Sequence, residues 1–204
     1  MVIGLLAIAA IPTVTGVGQA VSAQKRQNAA SKEQEKFHLT AMLPMEGELR
    51  EAAFIVLVDG KLFLDFPQKP VPGHKFCGYY FKYPSEEQHL GLVSTISDDP
   101  PMLNWIYVDR ETHEVRYGGR KDTIDHVIGP WGWSADEHFL VLQGDAEPFV
   151  GRREDDGRWA VYWDPDGELL GKKDEGGCGC GSSCQPLRLR RRMLLGMESR
   201  YVRD

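Results

Sequence analysis

Four cysteines in 204 residues are too few, and too unevenly placed, to frame a fold with disulfides. Cys77 stands alone in the body of the chain, while Cys178, Cys180 and Cys184 crowd into one Gly/Ser segment. That excludes a small disulfide-stapled scaffold and favours a reducing, cytoplasmic setting. Positive charge is also short: 24 Lys and Arg face 30 Asp and Glu, a formal net charge of -6. Such a surface has no general field to gather nucleic acid, which is disfavoured as a partner. No apolar run is long and unbroken enough to span a bilayer convincingly; the best, Val2–Gly18, is interrupted by Pro12, Thr13 and Thr15. Missing as well are Gly-x-Ser-x-Gly, a phosphate-binding glycine loop, His-Glu-x-x-His and the dinucleotide fingerprint. The common hydrolase, kinase and dehydrogenase classes fall away with them, and no cofactor is expected.

What is present reads as strands and turns. From His38 to about Leu170, short apolar runs alternate with turn signals, and long helical periodicity is absent. Asp59-Gly60 between Phe54–Val58 and Lys61–Phe66 is the clearest hairpin. Further strands are expected at Phe76–Tyr83, His89–Ile96, Trp105–Asp109, Glu114–Tyr117, Thr123–Ile128, His138–Gln143, Phe149–Arg153 and Arg158–Trp163. Glu168-Leu169-Leu170 is expected to return after Asp164-Pro165-Asp166-Gly167. The fold class is therefore mainly β: one antiparallel domain, a meander, barrel or sandwich, over residues 38–171. Ile55–Asp59, Trp105–Asp109 and Ala160–Asp164 each end an apolar strand on an Asp, at intervals of about fifty residues. Three units are too few for a propeller, and recurrent hairpins opened by Asp are the simpler reading.

The ends differ in character. Residues 1–37 are apolar and then charged: Pro12 suits a helix start, and Val14, Val17 and Val21 share a helical face. Read otherwise, Val21-Ser22-Ala23 is a cleavage site, residues 1–23 are a signal peptide and the protein is secreted. Residues 172–204 open with KKDEGGCGCGSSCQP, expected to be a flexible tail, and continue into a basic segment that is either a returning strand or a short helix. Arg188, Arg190, Arg191 and Arg192 there are candidates for phosphate, nucleic acid or an acidic lipid surface, the one exception to the general charge argument, and with the apolar N-terminus they leave peripheral membrane contact through the termini open.

Several segments resemble a family of small filamentous-fungal proteins: GLLAIAAIPTVTGVGQAVSAQK, KEQEKFHL, WIYVDRETHEVRYGGR, GPW and GRWAVYWDPDGE. The resemblance runs from residue 3 to about 170. It implies a fungal origin and, since that family carries no assigned activity, transfers no functional residue.

Two constellations carry candidate chemistry. Trp131 and Trp133 on a Gly/Pro turn offer flat walls for an apolar or ring-bearing ligand, with His126 and His138 as nearby polar groups. Asp125 beside His126 points to the opposite face of a strand. Cys178, Cys180 and Cys184 are candidate soft-metal ligands or lipidation sites, although a fourth ligand is lacking. His113 is expected to be a solvated turn residue. Asp155, Asp156, Asp164 and Asp166 are too few and too dispersed for a calcium loop. The reading with the fewest assumptions is a non-enzymatic binding or interaction module, for a protein partner or a small apolar ligand. The alternatives are a β-barrel isomerase or cyclase, with Trp131, Trp133 and one of His126, His138 and Tyr80 converging in a closed pocket, and a secreted protein acting outside the cell.

Overall fold

Alternating side chains build the first hairpin. In β1 (Phe37–Met45), Phe37, Leu39, Ala41 and Leu43 are buried, and in β2 (Glu48–Val58) Ala53, Ile55 and Leu57 answer them. One face of each strand thus enters a common core. Asp59 and Gly60 both take positive φ, 49° and 80°, so the turn matches the strand twist and leads directly into β3 (Lys61–Asp65). The computed structural model describes residues 33–171 and 183–194. The chain divides into two units, Met1–Glu35 and Lys36–Asp204. The first lies almost wholly outside the described residues, and with it the expected N-terminal helix and signal peptide.

The second unit continues with β4 (His74–Lys75), β5 (Gly78–Lys82), β6 (Leu90–Asp98), β7 (Pro101–Val108) and β8 (Val115–Gly118). A 3-10 turn, Arg120–Thr123, precedes β9 (Trp131–Trp133) and β10 (Leu140–Leu142). Then come β11 (Phe149–Arg153), β12 (Trp159–Trp163), β13 (Cys184–Pro186) and β14 (Arg188–Met193). Every strand pairing among the described residues is antiparallel. Followed in turn, β1-β2-β3-β8-β7-β6-β5 return to β1, a closed circuit that leaves these strands without a continuous open edge. No helix among the described residues is long and apolar enough to cross a membrane.

Three hairpins, β1–β2, β6–β7 and β11–β12, repeat along the chain. The first two share a detail that their sequences hide. Thr40 pairs Phe54 and Ser94 pairs Asn104, each four residues before the end of its second strand, and both hydroxyl residues are fully buried. One pair further along, each hairpin breaks register, after Ala41 and after Thr95. A bulge at one level in two hairpins bends both in the same place.

Asp98-Asp99-Pro100-Pro101 forms the tip of the β6–β7 hairpin, with Asp98 paired to Pro101. Several expectations are corrected. Thr123–Ile128 is not a strand: Thr123 ends the 3-10 turn, Asp125 takes a φ of 67°, and Val127 alone bridges to Val108. Glu168–Leu170 is a turn. The sheet also does not end at residue 171, because β13 pairs β11 and β14 pairs β1 over Phe37–Met42. Leu187 and Leu189 are buried at 2% and 0% exposure, which holds this segment in the core; it is the returning-strand alternative that the structure adopts.

Candidate functional site

Three strand ends meet at one end of the molecule. Lys61 of β3 pairs Arg116 of β8, Glu114 bridges Tyr162 of β12, and Ala160 of β12 pairs Phe63 of β3. The Tyr117 amide donates to Gly60 O at 3.0 Å and the Trp163 amide to His113 O at 2.9 Å. Backbone thus ties β3, β8 and β12 to each other pairwise, and side chains at these strand ends share an ionic floor. The Lys61 ammonium donates to Glu114 Oε1 at 2.5 Å and to Glu154 Oε2 at 3.4 Å. The Tyr162 hydroxyl donates to Glu154 Oε1 at 2.6 Å, with Glu114 Oε1 at 3.3 Å. Arg116 closes the set against Asp109 and Glu114 at 3.5 and 3.9 Å. Burial pulls the Lys61 ammonium down, but the hydrogen bond and charge of Glu114, with Glu154, outweigh it and hold the group above its ordinary value. Burial, then the Glu154 hydrogen bond and charge, push the Tyr162 phenol well up. Both groups are therefore fixed in their protonated forms at neutral pH.

Above this floor lies a cleft of about 530 Å³, the size of a small-molecule site. Thr112 and His113, Arg152, Arg153 and Asp155, and Glu168 and Leu169 form its walls around Glu114, Glu154 and Tyr162. Two buried aspartates shape those walls. Asp109 Oδ1 accepts the amides of Glu111 and Thr112, both at 3.0 Å, and the Asp109 carbonyl accepts the His113 amide. His113 is thereby held at a φ of 62°, a left-handed conformation uncommon outside glycine. Burial works to raise the Asp109 carboxyl, but the Thr112 and Glu111 amides outweigh it and hold the group below the usual carboxylate range. Asp164 Oδ1 accepts the Glu168 amide at 2.8 Å, and its Oδ2 accepts those of Leu169 and Leu170 at 2.9 and 3.2 Å. At Asp109 and Asp164 the strand-end Asp is a folded-chain signal, a carboxylate that gathers the next turn's N–H groups.

The aromatic and histidine candidates lie elsewhere. Trp131 is 2% exposed and stacks on Phe149 at 6.3 Å, inside the main core. Trp133 meets Phe37 at 4.7 Å and Tyr80 at 5.1 Å, and the Arg191 guanidinium lies 4.6 Å from its ring centroid. Tyr80 is buried, and its hydroxyl donates to Gly132 O at 2.7 Å. His126 stacks on Tyr107 at 5.2 Å, while His138 is 63% exposed and faces Asp136. Trp131, Trp133 and Tyr80 are brought together as packing, and the two histidines have other neighbours. Cys178 and Cys180 lie outside the described residues; Cys184 opens β13, opposite Arg152, and packs on a second small core. Among the described residues no three His, Cys, Asp or Glu side chains group as metal ligands. The basic run is largely engaged: Arg188 pairs with Glu147, Arg191 with Glu137 and Arg192 with Glu51. Reading along the chain missed the cleft because its walls come from residues 111–114, 152–155 and 168–169, which only the fold joins.

A family model described as a fungal beta-trefoil domain matches residues 16–195 of the chain. No curated protein and no solved structure matches it.

Proposed function

We propose that this chain, which belongs to the fungal beta-trefoil domain family, is a non-enzymatic binding module whose ligand seat is the cleft beside Tyr162. The observation that carries the reading is the contrast between floor and walls. Lys61, Glu114, Glu154 and Tyr162 spend their charges and hydrogen bonds on one another. General acid–base work is best served by a group that titrates near the working pH. Here the phenol and the ammonium are both pushed away from neutrality, which suits a rigid base under a ligand better than proton transfer. The walls, by contrast, present charged side chains to solvent from turns locked by Asp109 and Asp164. Pre-formed walls reduce the ordering cost of binding.

Amide-resolved NMR with a panel of small polar metabolites at millimolar concentration tests this. Binding at the cleft is expected to move the amide signals of Thr112, His113, Asp155 and Leu169, and to return each compound chemically unchanged after long incubation. Shifts confined to other surfaces, or steady consumption of a bound compound, refute the reading.

A further inference from the structure

We infer that the cleft selects a small zwitterion, a compact molecule bearing one carboxylate-type anion and one ammonium-type cation; this rests on the cleft being the ligand seat. The inference comes from which charges are already spent. On this end of the molecule Lys61 pairs with Glu114 and Glu154, Arg116 with Asp109 and Glu114, and Arg158 with Asp59 and Asp156. Arg152 and Arg153 line the same cleft, yet neither makes an ion pair among the described residues. Glu111, Glu168 and Asp155 also line it, and their carboxylates make no ion pair or hydrogen bond among the described residues; the first two stand on the turns held by Asp109 and Asp164. The unspent cations therefore come from the end of β11, and the unspent carboxylates from two turns whose backbones are fixed and from Asp155 in the turn after β11.

Other ligand classes fit this pattern less well. A polyanion meets the turn carboxylates as well as Glu114 and Glu154 of the floor, and a polycation meets two adjacent guanidiniums. An apolar ligand of the same size covers five charges without pairing them, which is costly. A neutral polyol reaches both sets, but through hydrogen bonds in which only one partner is charged. A zwitterion makes charge-assisted contacts of both signs, with its carboxylate on Arg152 and Arg153 and its ammonium on the turn side. Its carbon skeleton then rests beside Leu169 and the Tyr162 ring, over which the Arg152 guanidinium already lies at 5.5 Å.

The probes are linear ω-amino acids of increasing length, compared with the matching alkyl carboxylates, alkyl amines and a neutral hexitol. Binding is followed by the amide signals of Thr112, Arg152, Arg153 and Leu169 in the full-length protein. One amino acid is expected to bind at least about tenfold more tightly than either single-charge analogue, the effect of roughly one charge-assisted contact. Arg152→Gln with Arg153→Gln is expected to bring it to the level of the amine, and Glu168→Gln with Glu111→Gln towards that of the carboxylate. These exposed positions leave the fold intact, checked by an unchanged thermal midpoint. Equal or tighter binding of the hexitol or of a single-charge analogue at the cleft overturns the zwitterion inference and leaves the binding site standing. No movement of cleft signals with any probe overturns both.

Discussion

Asp59, Asp109 and Asp164 occupy one position in three hairpins, and the structure assigns them unequal weight. Replacing each by Asn keeps the size and the tolerance of turn conformations and removes one charge and one acceptor. At Asp59 the carboxylate is 79% exposed and touches only Arg158, at 3.7 Å. Exposed ion pairs contribute little, so Asp59→Asn is expected to stay within about 0.5 kcal/mol of the parent. At Asp109 both turn amides use Oδ1, while Oδ2 faces Arg116. An Asn keeps the oxygen in place, loses the ion pair and weakens two charge-assisted bonds, a cost of about 1 kcal/mol. Asp164 is 4% exposed and uses both oxygens, Oδ1 for Glu168 and Oδ2 for Leu169 and Leu170. Either amide orientation points an NH2 at backbone N–H groups. Losing one or two bonds to a charged acceptor, with a donor facing donors, costs about 3 kcal/mol. For a domain of this size that lowers the melting midpoint by roughly 6–12 °C. Urea denaturation of the three variants, with a check that the slope is unchanged, measures the order directly. If Asp59→Asn costs as much as Asp164→Asn, or Asp164→Asn is silent, the assignment of the third turn to its aspartate is wrong.

Two more outcomes follow. Leu189 is fully buried in β14, so Leu189→Ala is expected to destabilise by about 2–5 kcal/mol while the exposed neighbour change Arg190→Gln stays near zero; equal, small effects in equilibrium unfolding would return this segment to the status of a tail. Because the folded Asp109 carboxyl sits below its unfolded value, its contribution is complete above about pH 4 and is lost as pH falls through the folded value, so the parent is expected to lose stability faster than Asp109→Asn on acidification below about pH 4. Parallel pH profiles for the two proteins would contradict this.

The strands were legible where the local pattern and the tertiary environment agree. Phe149–Arg153 needed only a short apolar run ahead of a turn, and Asp59-Gly60 only a turn that demands positive φ. Legibility failed where a long-range partner decides. The strand expected from Phe54 in fact begins at Glu48, because β1 runs alongside residues 48–54. Arg188–Met193 reads equally as helix or strand until Phe37–Met42 is placed beside it. The interval of about fifty residues between aspartates was visible, but its meaning was not, since the joining of the strands that follow is a property of pairings such as Lys61 with Arg116. The two tryptophans after Gly129 drew attention as walls for a ligand; Trp131 instead fills the core against Phe149. The cleft had no local signature because no stretch of chain contains more than a few of its residues.

The pairing of β1 with β14 has a temporal side. Phe37 lies opposite Met193, so the first strand of the sheet acquires one of its neighbours only when the last one has been made. At the pace of translation this is a wait of roughly ten seconds or more, during which the edge of β1 that β14 will cover is open to any other strand. Contacts this distant in sequence also make closure slow once the chain is complete. The same adjacency offers a remedy: a short linker joining the ends of β1 and β14, with new termini cut at the exposed β6–β7 tip, would make that pairing local and is expected to speed folding without moving the cleft.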